Sequence, residues 1–261
     1  MWPLIDLFGW YVPSYNIFLV IGFFLGLAVL FLAARRKRVA LDFLADHFVL
    51  LFIASLVMAR LTNVLIRGYG LLDVPFFWRD TGFDMLGGLA GFLITLFILT
   101  RRHSEQFLLW LDLTVLAGLV TLFFHHLGTF ASGEAYGSPT DTFWGIAFTN
   151  PDAAILTTLP IHPTQIYAAI ITLIVFLTAA FIFKKEKTPG HAGAFILLIM
   201  AAEIFLIDFL RDDSAPTIWL LRFSQIFALG FASIAALFLY RLRHSKQALH
   251  ETDLLSHSRR S

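Results

Sequence analysis

The chain has 261 residues, and none of them is cysteine. This absence excludes disulfide bonds, a cysteine nucleophile and any metal centre that depends on thiolate ligands. It also means that the chain is not itself a lipid-modified lipoprotein, because that modification is attached to a cysteine thiol. Any chemistry that the protein performs must therefore rely on other side chains.

Charged residues are scarce as well. They make up 14% of the chain, against about 25% in soluble domains, whereas 58% of the residues are hydrophobic. Several windows of about 20 residues are almost free of charge, which is the helix length that crosses ~30 Å of hydrocarbon. The sequence therefore predicts a polytopic membrane protein without a sizeable soluble domain.

The apolar windows predict an all-α fold of seven transmembrane helices. The predicted spans are residues 15–33, 43–66, 84–100, 107–127, 163–183, 191–210 and 219–240. Together they form a transmembrane domain over residues 1–243, with an extracytoplasmic segment at about 128–162 and a polar cytoplasmic tail at 244–261. The first residues lack the basic segment of a cleaved signal peptide, and the chain shows no internal repeat of the kind found in many transporters.

Lysine and arginine alternate along the chain. Fourteen of the 19 follow the first, third, fifth and seventh spans, and three lie in the opposite connections. The positive-inside rule then places the N-terminus outside and the C-terminus in the cytoplasm. The net charge of +1 gives no indication of a nucleic-acid partner.

Polar residues within the spans collect near the outer ends. Arg60, the pair His125 and His126, and Asp208 lie there, whereas Glu203 lies about five residues deeper. A charge at the centre of a membrane helix costs about 2.5–3.5 kcal/mol on insertion scales. We therefore expect Arg60 and Glu203 to contact each other or to share a polar bridge, and we expect the outer arginines to hold the phosphate of an anionic phospholipid.

Seven segments carry a resemblance to the prolipoprotein diacylglyceryl transferase family of bacteria. The longest is HHLGTFASGEAYGSPTD at 125–141, which resembles G-R-[IL]-G-N-F-x-N-G-E-x-[WY]-G-R-P-T-D. The others are SYNIFLVIGF at 14–23, ARL at 59–61, LGGLAG at 86–91, IHPTQIYA at 161–168, DFLRDD at 208–213 and SQIFAL at 224–229. They occur in the family's order and on the matching helices.

The resemblance implies a function and a place in the cell. The family lies in the bacterial cytoplasmic (inner) membrane and transfers diacylglyceryl from phosphatidylglycerol to the lipobox cysteine in the signal peptide of a prolipoprotein. It implies no metal and no cofactor. By resemblance, the catalytic candidates are His126, Glu134 and Tyr15. The lipid phosphate-binding candidates are Arg60, Arg211, Gly133 and Gly137. The supporting candidates are His125, Thr129, His162, Gln165, Tyr167, Glu203 and Asp208.

Several family positions are substituted. A family histidine is Leu86 here, an arginine is His126, an asparagine is Thr129 and a glutamate is Ala168. His126 can act as a general base in place of the missing histidine, or it can only cap the end of its helix. Three alternatives therefore stand at this point: an active transferase, a catalytically impaired homologue that binds lipid or lipoprotein, and a transporter or other lipid-modifying enzyme on the same fold.

Overall fold

A computed structural model describes residues 2–70, 74–75, 82–101, 104–185, 188–213 and 217–258. Its described part contains seven helices, which confirms the predicted all-α polytopic class. They are α1 (Ser14–Lys37), α2 (Asp42–Ile66), α3 (Met85–Thr100), α4 (Ser104–Ser132), α5 (Thr164–Lys185), α6 (His191–Ile207) and α7 (Phe223–Ser258). Five of them, α1, α2, α4, α5 and α7, are long and apolar enough to cross a membrane, whereas α3 and α6 are shorter apolar helices.

The helix bounds differ from the predicted spans most clearly in α4, α6 and α7. Helix α4 continues to Ser132, five residues beyond its predicted end at residue 127, so His125 and His126 lie within the helix and do not cap its end. Helix α7 begins at Phe223 instead of residue 219, because a hairpin at residues 217–222 precedes it.

Helix α6 ends at Ile207, so Asp208 follows the helix instead of lying inside it. Helix α7 continues through Ser258, well beyond the predicted end near residue 240. The segment after residue 240 contains neither proline nor glycine, the two residues that most strongly interrupt a helix.

In the part of the chain that the structure describes, three antiparallel hairpins lie before or between the helices. Strands β1 (Leu4–Leu7) and β2 (Trp10–Pro13) precede α1, and Leu4 pairs with Pro13. Strands β3 (Ile146–Phe148) and β4 (Thr157–Ile161) lie between α4 and α5, and β5 (Thr217–Ile218) and β6 (Leu221–Arg222) lie between α6 and α7. All three hairpins lie at the same end of the bundle, where α1, α5 and α7 begin and where α4 and α6 end. We call this the hairpin end of the bundle.

Helix α4 is central, since it packs against α1, α3, α5 and α6. Helix α4 packs closely against α1 because Gly22 and Gly26 of α1 face α4. A Cβ atom added to Gly22 would lie 2.6 Å from Phe124 Cβ, and one added to Gly26 would lie 2.7 Å from Thr121 Oγ1. The Thr121 hydroxyl donates to the Gly22 carbonyl across the contact (3.1 Å). Small residues at this spacing are typical of helix pairs in membranes.

The buried apolar core lies away from the hairpin end, around Leu30, Leu96, Leu113 and Met200. Within this half, Asp112 of α4 caps the start of α6 from a neighbouring helix. Its carboxylate accepts hydrogen bonds from the backbone N–H groups of Gly190 (2.8 Å) and Gly193 (2.6 Å). An acid at a helix N-terminus satisfies donors that the helix itself leaves unpaired. The half of the bundle away from the hairpin end is thus a packed apolar core, in which Asp112 fixes the start of α6.

Candidate active site

A polar cavity of about 610 Å³ lies at the hairpin end. It is bordered by α2, α3, α4, α5 and α6, by the start of α7, and by the chain that follows α4. Eight of the residues predicted for the site line it: His125, His126, Thr129, Glu134, Gln165, Glu203, Asp208 and Arg211. The structure thus brings together side chains that are up to 86 positions apart in the sequence.

Helix α4 places three polar side chains on the cavity wall. Thr129 lies three residues after His126 and four after His125, so it shares a face of the helix with each of them. The His125 Nδ1 atom lies 3.1 Å from the Tyr15 hydroxyl of α1, and the two rings meet edge to face. The Thr129 hydroxyl donates to the His126 carbonyl (2.9 Å). His126 Nε2 is buried and has no hydrogen-bond partner among the described residues.

The chain reverses direction directly after α4. Gly133 has a φ of +78° and Ala135 a φ of +53°, so two left-handed residues enclose Glu134. Its backbone is held from α5, because Gln165 Nε2 donates to the Glu134 carbonyl (2.5 Å) and the Thr164 hydroxyl donates to the Ala135 carbonyl (2.6 Å). The Glu134 side chain therefore faces the cavity from a fixed turn.

The environment of Glu134 favours its protonated form. Burial raises the pKa of its carboxyl group, and the nearby Asp213 carboxylate raises it further. Both effects disfavour a second negative charge at this position. Glu134 can therefore donate a hydrogen bond over a wider pH range than an ordinary glutamate.

Gly137 fixes the backbone of Arg211. The two residues form an antiparallel bridge, and the neighbouring Ser138 N–H donates to the Leu210 carbonyl (2.9 Å). The Gly137 N–H also donates to the His162 carbonyl (3.1 Å). A Cβ atom on Gly137 would lie 2.5 Å from that carbonyl oxygen, so only glycine fits this position.

An ionic network surrounds the Arg211 guanidinium. Its Nη1 lies 2.9 Å from Asp208 Oδ1, and its Nη2 lies 2.5 Å from Asp213 Oδ2. Asp213 is also bound by Arg222 Nη1 (2.5 Å). The Ser224 hydroxyl donates to the second oxygen of Asp208. Asp213 and Ser224 were not among the predicted site residues, although the cluster of charges in DFLRDD was a signal for the first of them.

Two predicted supporting residues form a separate cluster. His162 Nδ1 lies 3.0 Å from the Tyr167 hydroxyl, which also accepts a hydrogen bond from Trp144 Nε1 (2.7 Å). Neither His162 nor Tyr167 is among the described residues that line the cavity. Their contacts connect the chain before α5 to the first turns of that helix.

The expected direct contact between Arg60 and Glu203 is not observed. Arg60 is 4% exposed, and its guanidinium donates to the carbonyl oxygens of Gly82 (3.0 Å) and Val74 (3.4 Å). Glu203 Oε2 is buried without a hydrogen-bond partner in the described part of the chain. Backbone carbonyls between α2 and α3 therefore accept the hydrogen bonds that we expected Arg60 to donate to Glu203.

Replacing Gly137 with alanine is expected to destabilise the protein by about 1–3 kcal/mol, the usual cost of overpacking a tight contact. The added methyl group must displace the His162 carbonyl or the Leu210 carbonyl, which would lie 2.5 and 3.0 Å away, and would thereby shift Arg211. Gly230→Ala is the matched control, because a Cβ there meets nothing within 4 Å. Thermal unfolding in detergent measures the effect, and equal unfolding temperatures of the two variants would contradict this role for Gly137.

Comparison with known proteins gives a consistent result. The model of the prolipoprotein diacylglyceryl transferase family matches residues 3–241. The chain is 24% identical to the phosphatidylglycerol–prolipoprotein diacylglyceryl transferase of Clostridium tetani, over 94% of this chain and 98% of the relative. It is 27% identical to the Bacteroides fragilis enzyme over 91% of each chain, and 31% identical to that of Tolumonas auensis over 78% of this chain and 80% of the relative. The chain therefore belongs to the prolipoprotein diacylglyceryl transferase family.

Proposed function

We propose that this protein transfers the diacylglyceryl group of phosphatidylglycerol to the lipobox cysteine thiol of a prolipoprotein. The sulfur forms a thioether bond to the glyceryl carbon, the bond from that carbon to the phosphate oxygen breaks, and glycerol phosphate leaves with the bonding electrons. The observation that carries the proposal is the cavity of about 610 Å³, where histidine, glutamate and arginine side chains from separate parts of the chain meet.

We assign the proton transfers to His126 and Glu134. An ordinary thiol is mostly protonated at neutral pH, so a general base increases its reactivity. The unpartnered Nε2 of His126 suits this role. The raised pKa of Glu134, caused by burial and by Asp213, suits a group that donates a hydrogen bond or a proton to the departing phosphate. Tyr15 positions His125, which precedes the proposed base.

We assign the phosphate to the arginines. Arg211 lines the cavity, and its Nε is buried without a hydrogen-bond partner among the described residues. Arg60 stays a predicted phosphate ligand, although its described hydrogen bonds go to backbone carbonyls. Gly133 and Gly137 contribute by allowing the turn and the close backbone contact that place Glu134 and Arg211.

The proposed orientation puts the hairpin end outside. The N-terminus then lies outside and the C-terminus in the cytoplasm of a bacterial inner membrane. This orientation is supported by the basic residues at the opposite ends of the helices, such as Arg35 to Lys37 in the last turn of α1 and Lys184 with Lys185 in the last turn of α5. A secreted prolipoprotein and an outer-leaflet phospholipid would both reach the cavity from that side.

The absence of cysteine makes this orientation simple to test. A single cysteine introduced at Phe8 or Trp219, both at fully exposed hairpin turns, should react with a membrane-impermeant maleimide in intact spheroplasts. A single cysteine at Lys37 should react only after the membrane is permeabilised. The unmodified chain is a background-free control, and the reverse labelling pattern would contradict the proposed topology.

The proposed activity is tested with a lipobox reporter in a bacterial strain depleted of its own transferase. We expect the reporter to gain the mass of one diacylglyceryl group when this chain is expressed. A reporter whose lipobox cysteine is changed to serine should not be modified. An unmodified cysteine reporter, with the chain folded in the membrane, would contradict transferase activity in that lipid background.

One observation favours the alternative of a catalytically impaired homologue that binds lipid. Both terminal nitrogens of Arg211 are already bound to carboxylates, and Leu86 lines the cavity where the family pattern has a histidine. If the native chain is inactive, the combination Leu86→His with His126→Arg should produce lipidation. Continued inactivity of that variant would indicate that these two positions do not account for the loss.

A further inference from the structure

Both carboxylates that hold Arg211 are themselves held from the start of α7. Arg211 Nη1 lies 2.9 Å from Asp208 Oδ1, and its Nη2 lies 2.5 Å from Asp213 Oδ2. The other oxygen of Asp208 accepts a hydrogen bond from the Ser224 hydroxyl, and the other oxygen of Asp213 accepts one from Arg222 Nη1 (2.5 Å). Each carboxylate therefore connects Arg211 to the first residues of α7 or to the strand before them.

Arg222 also binds the backbone of the chain that follows α6. Its Nη2 donates to the Arg211 carbonyl oxygen (2.7 Å), and its Nη1 lies 3.4 Å from the Asp213 carbonyl oxygen. The side chain of Arg222 is only 12% exposed. Because a guanidinium group presents its donors in a rigid fork, it can bind several acceptors at once. Arg222 thus fixes both the backbone of Arg211 and a carboxylate on which its side chain depends.

The position of Arg222 is fixed in turn by Gln225. The Arg222 N–H donates to Gln225 Oε1 (2.8 Å), and Gln225 Nε2 donates to the Phe205 carbonyl of α6 (3.1 Å). Gln225 is 1% exposed. Arg222 also pairs with Thr217 in the hairpin of β5 and β6. These contacts hold Arg222 in place without any contribution from a lipid.

The orientation of Arg211 decides which of its donors is left for a ligand. A guanidinium group is planar, so binding Nη1 and Nη2 also fixes the direction of Nε. Arg211 lines the cavity, and its Nε is buried without a hydrogen-bond partner among the described residues. Arg222 is not among the described residues that line the cavity. Its effect on a ligand there must therefore pass through Asp213 and Arg211.

Arg222 also balances the charge of this network. Arg211 by itself faces two carboxylates, whereas Arg211 and Arg222 together match the two aspartates. Without the charge of Arg222, the network would keep one excess negative charge. In a partly buried site, that charge repels an anionic phosphate more strongly than it would in water.

We propose that Arg222 is a positioning residue for the lipid phosphate. It orients Asp213 and Arg211 so that Arg211 Nε is directed at the phosphate, and it offsets the charge of Asp213. This inference rests on the proposed function, because it concerns the phosphate of the same donor lipid. Arg222 supports recognition of the phosphate and not of the acyl chains, so its loss should weaken the binding of a phospholipid selectively.

The test compares two lipids that differ only in the phosphate-bearing headgroup. Purified full-length protein in detergent is given an equimolar mixture of phosphatidylglycerol and diacylglycerol with identical acyl chains, and retained lipid is quantified by native mass spectrometry. We expect Arg222→Gln to lower the ratio of phosphatidylglycerol to diacylglycerol about tenfold, which corresponds to one charge-assisted hydrogen bond. An unchanged ratio would overturn the proposal, including the case in which both lipids are lost equally.

Two further variants separate orientation from charge. Arg222→Lys keeps the charge but loses the fork, so the ratio should fall by about threefold. Combining Arg222→Gln with Asp213→Asn removes one charge of each sign and leaves an amide oxygen for Arg211 Nη2, so the ratio should recover to about the Arg222→Lys level. A wild-type ratio in Arg222→Lys would overturn the orienting role, and a double variant as poor as Arg222→Gln would overturn the role of charge.

Arg241→Gln is the matched control for these variants. Arg241 is exposed, lies further along α7 and is not among the described residues that line the cavity. Its substitution removes an arginine charge from the same helix and should leave the lipid ratio unchanged. A fall in the ratio equal to that of Arg222→Gln would overturn the assignment of the effect to Arg222.

Transfer to a lipobox peptide is measured in parallel. Arg222→Gln should raise the KM for phosphatidylglycerol about tenfold and leave kcat within about threefold, because it weakens binding of the phosphate before the reaction. A fall in kcat with an unchanged KM would overturn the assignment to phosphate binding. Absence of transfer by the wild-type chain would overturn the proposed function, while the retention ratio still decides the role of Arg222.

Discussion

Replacing Arg211 with methionine is expected to destabilise the protein by about 3 kcal/mol, the lower end for breaking a buried ion pair, because its side chain is 23% exposed. The Asp208 side chain is only 3% exposed and would lose its guanidinium partner. Asp213 would keep Arg222 as a partner. Lipidation should fall to background, because the proposed phosphate donor is lost together with the network.

A second variant separates the two roles of Arg211. Combining Arg211→Met with Asp208→Asn removes both charges and leaves an amide oxygen that can still accept from Ser224. We expect most of the lost stability to return, whereas lipidation should remain absent. Thermal unfolding in detergent and the lipobox reporter measure the two quantities. An Arg211→Met protein that unfolds at the wild-type temperature would show that the ionic network contributes little to stability.

The sequence predicted the location of the site because helix direction alternates along the chain. Once seven helices are placed, the end of α4, the start of α5 and the end of α6 must lie at the same side of the bundle, and the family resemblance indicates which side chains there belong to the site. His126, Glu134, Gln165 and Arg211 follow from that placement, and the structure brings all four to one cavity. Tyr15 is at the same end of the bundle because α1 begins where α4 ends, and the structure places its hydroxyl 3.1 Å from His125 Nδ1.

The sequence could not predict which groups would pair. The partners of Arg211 depend on how the chain turns after α6, and the choice among Asp208, Asp212 and Asp213 is made by local backbone geometry. The Asp212 N–H donates to the Tyr136 carbonyl (3.0 Å), which leaves Asp208 and Asp213 beside the guanidinium. In the same way, backbone carbonyls between α2 and α3 bind Arg60, and hydropathy contains no signal for them.

Hydropathy also did not predict the hairpins, because their strands are short and their apolar residues look like the ends of the neighbouring membrane helices. The turn of the first hairpin combines Phe8 at φ +57° with Gly9 at φ +88°. Two consecutive positive φ values are the geometry of a tight two-residue hairpin turn. The glycine at the second position is a usable sequence signal, whereas phenylalanine at the first is not.

Replacing His126 with alanine is expected to lower lipidation about 10²–10⁴-fold at neutral pH, which is the usual contribution of a general base. Stability should change little, because His126 Nε2 has no hydrogen-bond partner among the described residues. His47→Ala is the matched control, since it removes an imidazole from the opposite end of the bundle. His47 Nδ1 there lies 2.8 Å from the Phe43 carbonyl.

The pH dependence of the His126→Ala protein distinguishes a general base from the other roles open to this histidine. A thiol with a pKa of about 8.5 is about 3% ionised at pH 7 and about 90% ionised at pH 9.5. If His126 removes the thiol proton, the variant should therefore regain about thirtyfold of its activity over that range. If His126 instead protonates the leaving phosphate or only positions the lipid, ionisation of the thiol at high pH does not compensate for the loss of His126. A ratio of variant to wild-type activity that stays constant from pH 7 to 9.5 would assign His126 to one of those roles.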